Sequence, residues 1–118
     1  HWKQSARMRR WIVREREAER DRTVVLTVDN ALADPDDPAA LAAFERAVSR
    51  CAGEALLLLA RGSDVGFHAR GVRVPASSGR TQRTRILESL GRLEAVPAAV
   101  APAFPALRRG DLRVLVPG

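Results

Sequence analysis

The run Thr23–Asn30 constrains the fold of this chain more than any other stretch, because it is a β-branched apolar segment that ends in an acidic residue. A continuous Val/Leu run bounded by polar residues predicts a strand buried on both faces, as in a parallel sheet. A loop rich in Pro and Asp follows, and then a long helical pattern. Ligand sites in open α/β sheets gather at the carboxyl ends of the strands, so Asp29 and Asn30 become candidate site residues.

A long helix is predicted from about Ala39 to Arg61. Asp37 suits the N-cap and Pro38 the first helical position, while Gly62 is a typical stop. One face of this helix carries an apolar stripe at helical spacing. The stripe consists of Leu41, Phe44, Val48, Cys51 or Ala52, Ala55, Leu58 and Leu59. We interpret Cys51 as a small core residue rather than a reactive thiol.

Two further strands are predicted after this helix. Alternating apolar and polar residues favour a strand that begins at Asp64, and Val72–Val74 follows as an edge strand that Pro75 ends. His68 then falls on the more polar face. We interpret it as an ordinary surface histidine, because the sequence offers no partner that would make it a catalytic base.

The last third of the chain predicts a second helix over about Gln82–Ala95. Thr81 would be its N-cap, although the hydroxyl-rich loop before it could instead bind an anion at the helix N-terminus. An irregular connection over Val96–Pro105, a short helical turn over Ala106–Arg109 and a strand over Leu112–Val116 complete the chain. This alternation predicts an α/β fold with a mainly parallel open sheet and covering helices.

Charge is distributed unevenly along the chain, whose net charge is +6. Residues 1–22 form a basic lead-in segment with eight basic and four acidic side chains, in which Trp11–Glu17 is predicted as a strand. Residues 65–118 carry nine basic and three acidic side chains. A basic balance permits binding to phosphate or anionic lipid, and the alternative is a solvated arginine surface. Because aromatic residues are not interleaved with the arginines, we expect no specific nucleic-acid binding.

Sequence motifs for common chemistries are missing. The chain has no Gly-rich phosphate loop, no Walker-type Lys and no Gly-x-Ser-x-Gly. Asp29 could act as an acid or base, but no residue suggests itself as its activating partner. We therefore expect the chain not to be an enzyme.

Two blocks of the sequence resemble a bacterial family of unknown function, number fifty-eight. The first is His1–Arg7, which matches the family signature His-Trp-(Lys/Arg)-x-(Ser/Thr)-Ala-Arg. The second is Val13–Asp29, which matches Val-Arg-Glu-x-Glu followed by a strand ending in Asp. Asp64–Gly66 and the helix Arg83–Leu93 also follow the family's run of elements. The resemblance implies a von Willebrand factor A-like, Rossmann-like domain, of which residues 23–118 would be a partial, truncated form.

The same resemblance implies a function. It implies that this chain is a non-enzymatic protein-interaction domain of a larger, membrane-anchored bacterial protein, on the cytoplasmic side of the inner membrane. A MoxR-type AAA+ ATPase is the implied partner, in the assembly or activation of protein complexes. Membrane contact would come only from segments outside this chain. The alternative is a basic module that binds nucleic acid or anionic surfaces, and an exposed sheet edge leaves a homodimer open.

The resemblance also implies a degenerate metal site. Domains of the A type hold a metal through Asp-x-Ser-x-Ser, a later Thr and a further Asp. Asp29 matches and Thr81 could stand for the Thr, but Ala31 and Ala33 replace both serines. Because hard cations need several oxygen ligands, we expect no bound Mg²⁺ and no other cofactor. Asp29, Asn30 and Thr81 would instead form an interaction surface at the carboxyl end of the sheet.

Overall fold

The computed structural model describes residues 23–118, so the predicted strand Trp11–Glu17 lies outside the described residues. Strands and helices alternate along this part of the chain. In chain order they are β1 (Thr23–Thr27), β2 (Ala31–Leu32), α1 (Pro38–Ala60), β3 (Asp64–Ala69), β4 (Val72–Ser77), α2 (Gly79–Arg92), β5 (Val96–Pro97), a 3-10 helix (Ala98–Val100) and β6 (Leu112–Leu115).

The main sheet has the strand order β4-β3-β1-β6. Its central strand β1 pairs in parallel with both β3 and β6, and only the hairpin β3–β4 is antiparallel. Strands β2 and β5 form a separate, short parallel pair. The predicted mainly parallel sheet with covering helices is therefore confirmed, and it is compatible with a von Willebrand factor A-like or Rossmann-like fold.

Strand β1 is buried on both faces, as its Val/Leu run predicts. Val25, Leu26, Thr27 and Val28 are all at most 2% exposed. Regular strand geometry ends at Thr27 rather than at residue 30. Pairing continues for one residue, because the Val28 N–H donates to the carbonyl of the β3 residue His68.

Helix α1 begins and ends where its sequence predicts. The Asp37 carboxylate accepts a hydrogen bond from the Ala39 N–H at 3.1 Å, and Pro38 occupies the first turn. The helix ends at Ala60, and Gly62 adopts φ +83°, a left-handed conformation that favours glycine. Three residues of the predicted stripe, Phe44, Cys51 and Ala55, are buried, and so is Ala47, which the stripe did not include. The core prediction for Cys51 is confirmed, since it is 0% exposed.

Both helices pack on one face of the sheet and against each other. The buried core lies between them and the inward side chains of β1 and β3. Its largest members, which come from all of these elements, are Leu26, Phe44, Phe67 and Ile86.

The other face of the sheet is crossed by the chain between the 3-10 helix and β6, where Phe104 and Pro105 are half-buried. The predicted helical turn over Ala106–Arg109 is wrong, because the chain forms only a turn at residues 109 and 110. The surface prediction for His68 is also wrong: it is 4% exposed. The chain between the 3-10 helix and β6 covers His68, but this irregular segment has no apolar periodicity from which that role could be predicted.

Helix α2 begins earlier than predicted. Ser78 is its N-cap, without a side-chain capping bond, so the N-cap prediction for Thr81 is wrong. Thr81 lies in the first turn and is exposed. The neighbouring Gln82 donates to the carbonyls of Val65 and Pro75, at 2.7 and 2.9 Å. Because Val65 is the second residue of β3, this end of α2 lies at the amino end of the parallel strands.

Candidate functional site

The carboxyl ends of β1 and β3 meet at one edge of the sheet. Thr27 on β1 lies opposite His68 on β3 in the parallel register, so the residues that follow each strand are neighbours. On β1 these residues are Asp29 and Asn30, and on β3 the next residue is Arg70. Arg70 thus follows a parallel strand just as Asp29 does, and the rule that sites gather at the carboxyl ends of strands applies to both. The sequence analysis applied it only to β1 and so missed Arg70.

Asp29 and Arg70 form a two-pronged ion pair. Arg70 Nε lies 3.1 Å from Asp29 Oδ1, and a terminal guanidinium nitrogen lies 3.4 Å from Oδ2. Oδ1 also accepts the Ala31 N–H at 3.0 Å, which closes a turn after β1. The side chain of Asp29 is 42% exposed and that of Arg70 is 29% exposed. The pair is thus fixed by the ends of two central strands yet remains accessible to solvent.

The electrostatic balance at Asp29 favours its charged form. Partial burial acts to raise the pKa of this carboxyl, but the Arg70 hydrogen bond, the Ala31 amide and the Arg70 charge together hold the pKa below its ordinary value of 3.8. Asp29 is consequently a carboxylate at neutral pH. It cannot serve as a proton donor there, and its oxygens are already engaged by a cation and an amide.

Asn30 is a buried connector rather than part of a surface. It is 2% exposed. Its Oδ1 accepts the Arg70 N–H at 2.8 Å, and its Nδ2 donates to the Glu94 carbonyl at 3.1 Å. Its own carbonyl accepts the Val96 N–H at 2.8 Å. The structure therefore does not place Asn30 on the predicted interaction surface, because its side-chain amide and its carbonyl bind the chain itself.

An aromatic residue from the second face completes the site. The ring centroid of Phe104 lies 4.3 Å from the Arg70 guanidinium carbon and 5.3 Å from that of Arg113. Both distances fit cation–π contacts. Arg70 also donates to the Pro102 carbonyl at 3.4 Å. The exposed ion pair is thus tied to the segment that crosses the second face, a link for which the sequence carried no signal.

The sequence comparison identifies the family. The family model described as protein of unknown function DUF58 matches residues 1–116. The chain belongs to this family. Comparisons with curated proteins and with solved structures gave no match. Within residues 23–118, neither helix of the DUF58 chain combines the length and apolar character that a bilayer crossing requires.

The metal site of A-type domains does not fit the residues of this DUF58 chain. Asp29 is held by Arg70, and Ala31 and Ala33 supply no side-chain oxygen. Thr81 precedes Gln82, whose side chain binds the Val65 carbonyl near the amino end of β3. Thr81 is therefore at the opposite end of the sheet from Asp29. No group of three His, Cys, Asp or Glu residues in the described part of the chain is arranged to hold a metal ion.

Proposed function

We propose that this DUF58 chain is a non-enzymatic protein-interaction domain that acts with a MoxR-type AAA+ ATPase in the assembly or activation of protein complexes. The domain would belong to a larger, membrane-anchored bacterial protein and would face the cytoplasm. The family resemblance supplies the class of partner. The geometry of the carboxyl end of the sheet supports the docking role.

The exposed Asp29–Arg70 pair carries this proposal. Its two charges satisfy each other, so the site offers neither an unpaired base nor an open metal position. Arginine is enriched at protein interfaces, and a fixed pair of opposite charges selects a partner of complementary pattern. Arg70 is further held by Phe104, so little side-chain entropy remains to be lost when a partner docks.

Binding of the chain to a MoxR-type ATPase tests the proposal directly. Asp29→Asn keeps an oxygen for the Ala31 N–H but removes the charge, and Arg70→Gln removes the opposite charge. We expect each to weaken binding about tenfold, the value of one charge-assisted contact. Biolayer interferometry at fixed salt concentration measures the affinity.

Thr81→Ala is the matched control, because Thr81 is exposed at the other end of the sheet. It should leave the affinity unchanged. Equal losses for Thr81→Ala and Asp29→Asn, or no loss for either charge variant, would contradict a docking surface at Asp29. Melting temperatures of all variants separate lost binding from lost folding.

The alternative, a module that binds anionic surfaces, is favoured by one feature of α2. Its exposed side chains include Arg80, Arg83, Arg85 and Arg92. The ion pair of Asp29 with Arg70 is the only one within residues 23–118, so none of these arginines has a carboxylate of that range at ion-pair distance. This alternative predicts a steep fall of affinity with salt and loss of binding in Arg83→Ala/Arg85→Ala. The docking proposal predicts no loss in that double variant and only the weaker salt dependence of a single charged contact.

A further inference from the structure

A second polar site lies on the face of the sheet that the helices do not cover. It is a pocket of about 220 Å³ whose wall includes His68 and three arginines, Arg73, Arg108 and Arg109. Thr23, the first residue of β1, also lines it. The pocket therefore reaches towards the amino ends of the strands, away from the Asp29–Arg70 pair.

The charge around this pocket is strongly positive. Arg73, Arg108 and Arg109 are exposed, and in residues 23–118 none of them has a carboxylate at ion-pair distance. Asp111 is the one acidic residue of the wall, and its carboxylate accepts the backbone N–H of Arg108 at 3.2 Å. Three arginines thus line one pocket that has a single acidic residue to offset their charge.

A further cation lies beside His68. Arg113 is half-buried, and its guanidinium donates to Thr27 Oγ1 at 3.0 Å and to the Pro105 carbonyl at 2.8 Å. Its third hydrogen-bond partner is His68 Nδ1, at 3.3 Å. All these partners are neutral acceptors, so this half-buried charge has no counterion at ion-pair distance among the described residues.

The contact with Arg113 fixes the tautomer of His68. A guanidinium only donates hydrogen bonds, so Nδ1 must accept, and the neutral ring carries its proton on Nε2. Arg113 is not part of the pocket wall, which leaves the Nε2–H as the ring donor available to the pocket. Burial, Arg113 and Arg73 lower the pKa of His68, against a raising effect of Asp111. The ring is therefore neutral at neutral pH.

We propose that this pocket binds a small anion of the phosphate type, either free phosphate or the phosphoryl group of a small monoester. Its polar side chains are donors and cations, apart from the Asp111 carboxylate, which is held by a backbone amide. The planar forks of Arg108 and Arg109 match phosphate oxygens. At about 220 Å³ the pocket lies below the size range of pockets for larger organic ligands, which begins at about 300 Å³.

The test is a titration of the chain with inorganic phosphate at constant ionic strength, followed by NMR signals of the His68 ring. We expect saturable binding and a rise in the pKa of His68 on saturation, because a nearby anion stabilises the imidazolium. Arg108→Ala/Arg109→Ala should weaken binding at least about tenfold. Both side chains are exposed in an irregular segment, so this variant should keep its fold.

Arg83→Ala/Arg85→Ala is the control with the same change in charge, since both residues lie outside the pocket. It should change the affinity by less than about twofold. Equal weakening in the two double variants, or no rise in the pKa of His68, would overturn the proposal. Asp29→Asn should leave phosphate binding unchanged, which separates this test from that of the docking surface.

Phenyl phosphate titrated in the same way distinguishes the two sources of the anion. Tighter binding of the monoester supports a phosphorylated small molecule, and tighter binding of inorganic phosphate supports the free anion. Failure of both to bind at millimolar concentration would show that the pocket is no phosphate site.

Discussion

At the scale of single residues, the side chain of Asn30 joins the end of β1 to the start of the turn after β3 and to the chain that leaves α2. Sequence position alone made Asn30 and Asp29 equivalent candidates. The structure separates them, because the side chain of Asp29 points to solvent while Asn30 is 2% exposed.

Replacing Asn30 tests this connecting role. Asn30→Ala leaves the part-buried Arg70 N–H and Glu94 carbonyl without their partners, and each such unsatisfied group costs about 1–3 kcal/mol. We expect the free energy of unfolding to fall by about 2–4 kcal/mol in urea denaturation. Thr81→Ala, an exposed position, should change it by less than about 0.5 kcal/mol. A similar small effect for Asn30→Ala would show that its contacts are dispensable.

His68 predicts a pH dependence of stability. Its pKa is lowered in the folded chain, first by burial and then by Arg113 and Arg73. The unfolded chain therefore binds a proton before the folded chain does, as pH falls below about 6.5. The contribution of neutral His68 is fully present above that pH and declines as pH falls towards the folded pKa.

His68→Asn supplies the comparison, because the amide oxygen can replace Nδ1 as an acceptor for Arg113 and does not titrate. Between about pH 7.5 and about pH 5.5 the melting temperature of the original chain should fall more than that of the variant. Parallel pH profiles of the two proteins would show that folding does not lower the pKa of His68.

At the scale of elements, the two helices differ in how they begin. The Asp37 side chain caps α1, whereas the Ser78 side chain makes no capping bond to α2. Asp37→Ala should lower the free energy of unfolding by about 1 kcal/mol, and Ser78→Ala should have a clearly smaller effect. Chemical denaturation of both variants measures the difference, and equal losses would refute it.

The same contrast shows what local sequence could predict. Asp37 followed by Pro38 specifies a helix start without ambiguity, so α1 was placed correctly. Ser78 and Thr81 are both acceptable N-caps, and local pattern selected the wrong one. The Val/Leu run was also enough to predict β1. A strand buried on both faces is apolar throughout, so no alternation of polar and apolar residues has to be assigned to the two faces.

At the scale of the whole molecule, the parts that sequence missed depend on contacts distant in the chain. Arg113 meets His68, and Phe104 meets Arg70, across an irregular segment without apolar periodicity. Those contacts convert a predicted surface histidine into a buried one. They also bring the carboxyl-end ion pair and the basic pocket under the same covering segment.

Strand β6 forms one edge of the main sheet, where a second copy of the chain could add a strand. In the described residues β6 pairs only with β1, and Leu115 on it is 60% exposed. Unpaired apolar edges add strands from other chains. If a homodimer forms there, Leu115→Lys should shift sedimentation towards the monomer, while Val100→Lys at a position 74% exposed outside the sheet should not. Equal sedimentation of both variants and the original chain would place any dimer elsewhere.

The proposed function requires that the Asp29 carboxylate binds Arg70 and not a metal ion. The most direct measurement is a thermal melt of the chain with and without millimolar Mg²⁺ or Mn²⁺, repeated on Asp29→Ala. A ligand that binds only the folded state must raise the melting temperature. We predict no metal-dependent shift in either protein. A rise in the original chain that Asp29→Ala abolishes would contradict the assignment, since it would show that Asp29 binds a metal in preference to Arg70.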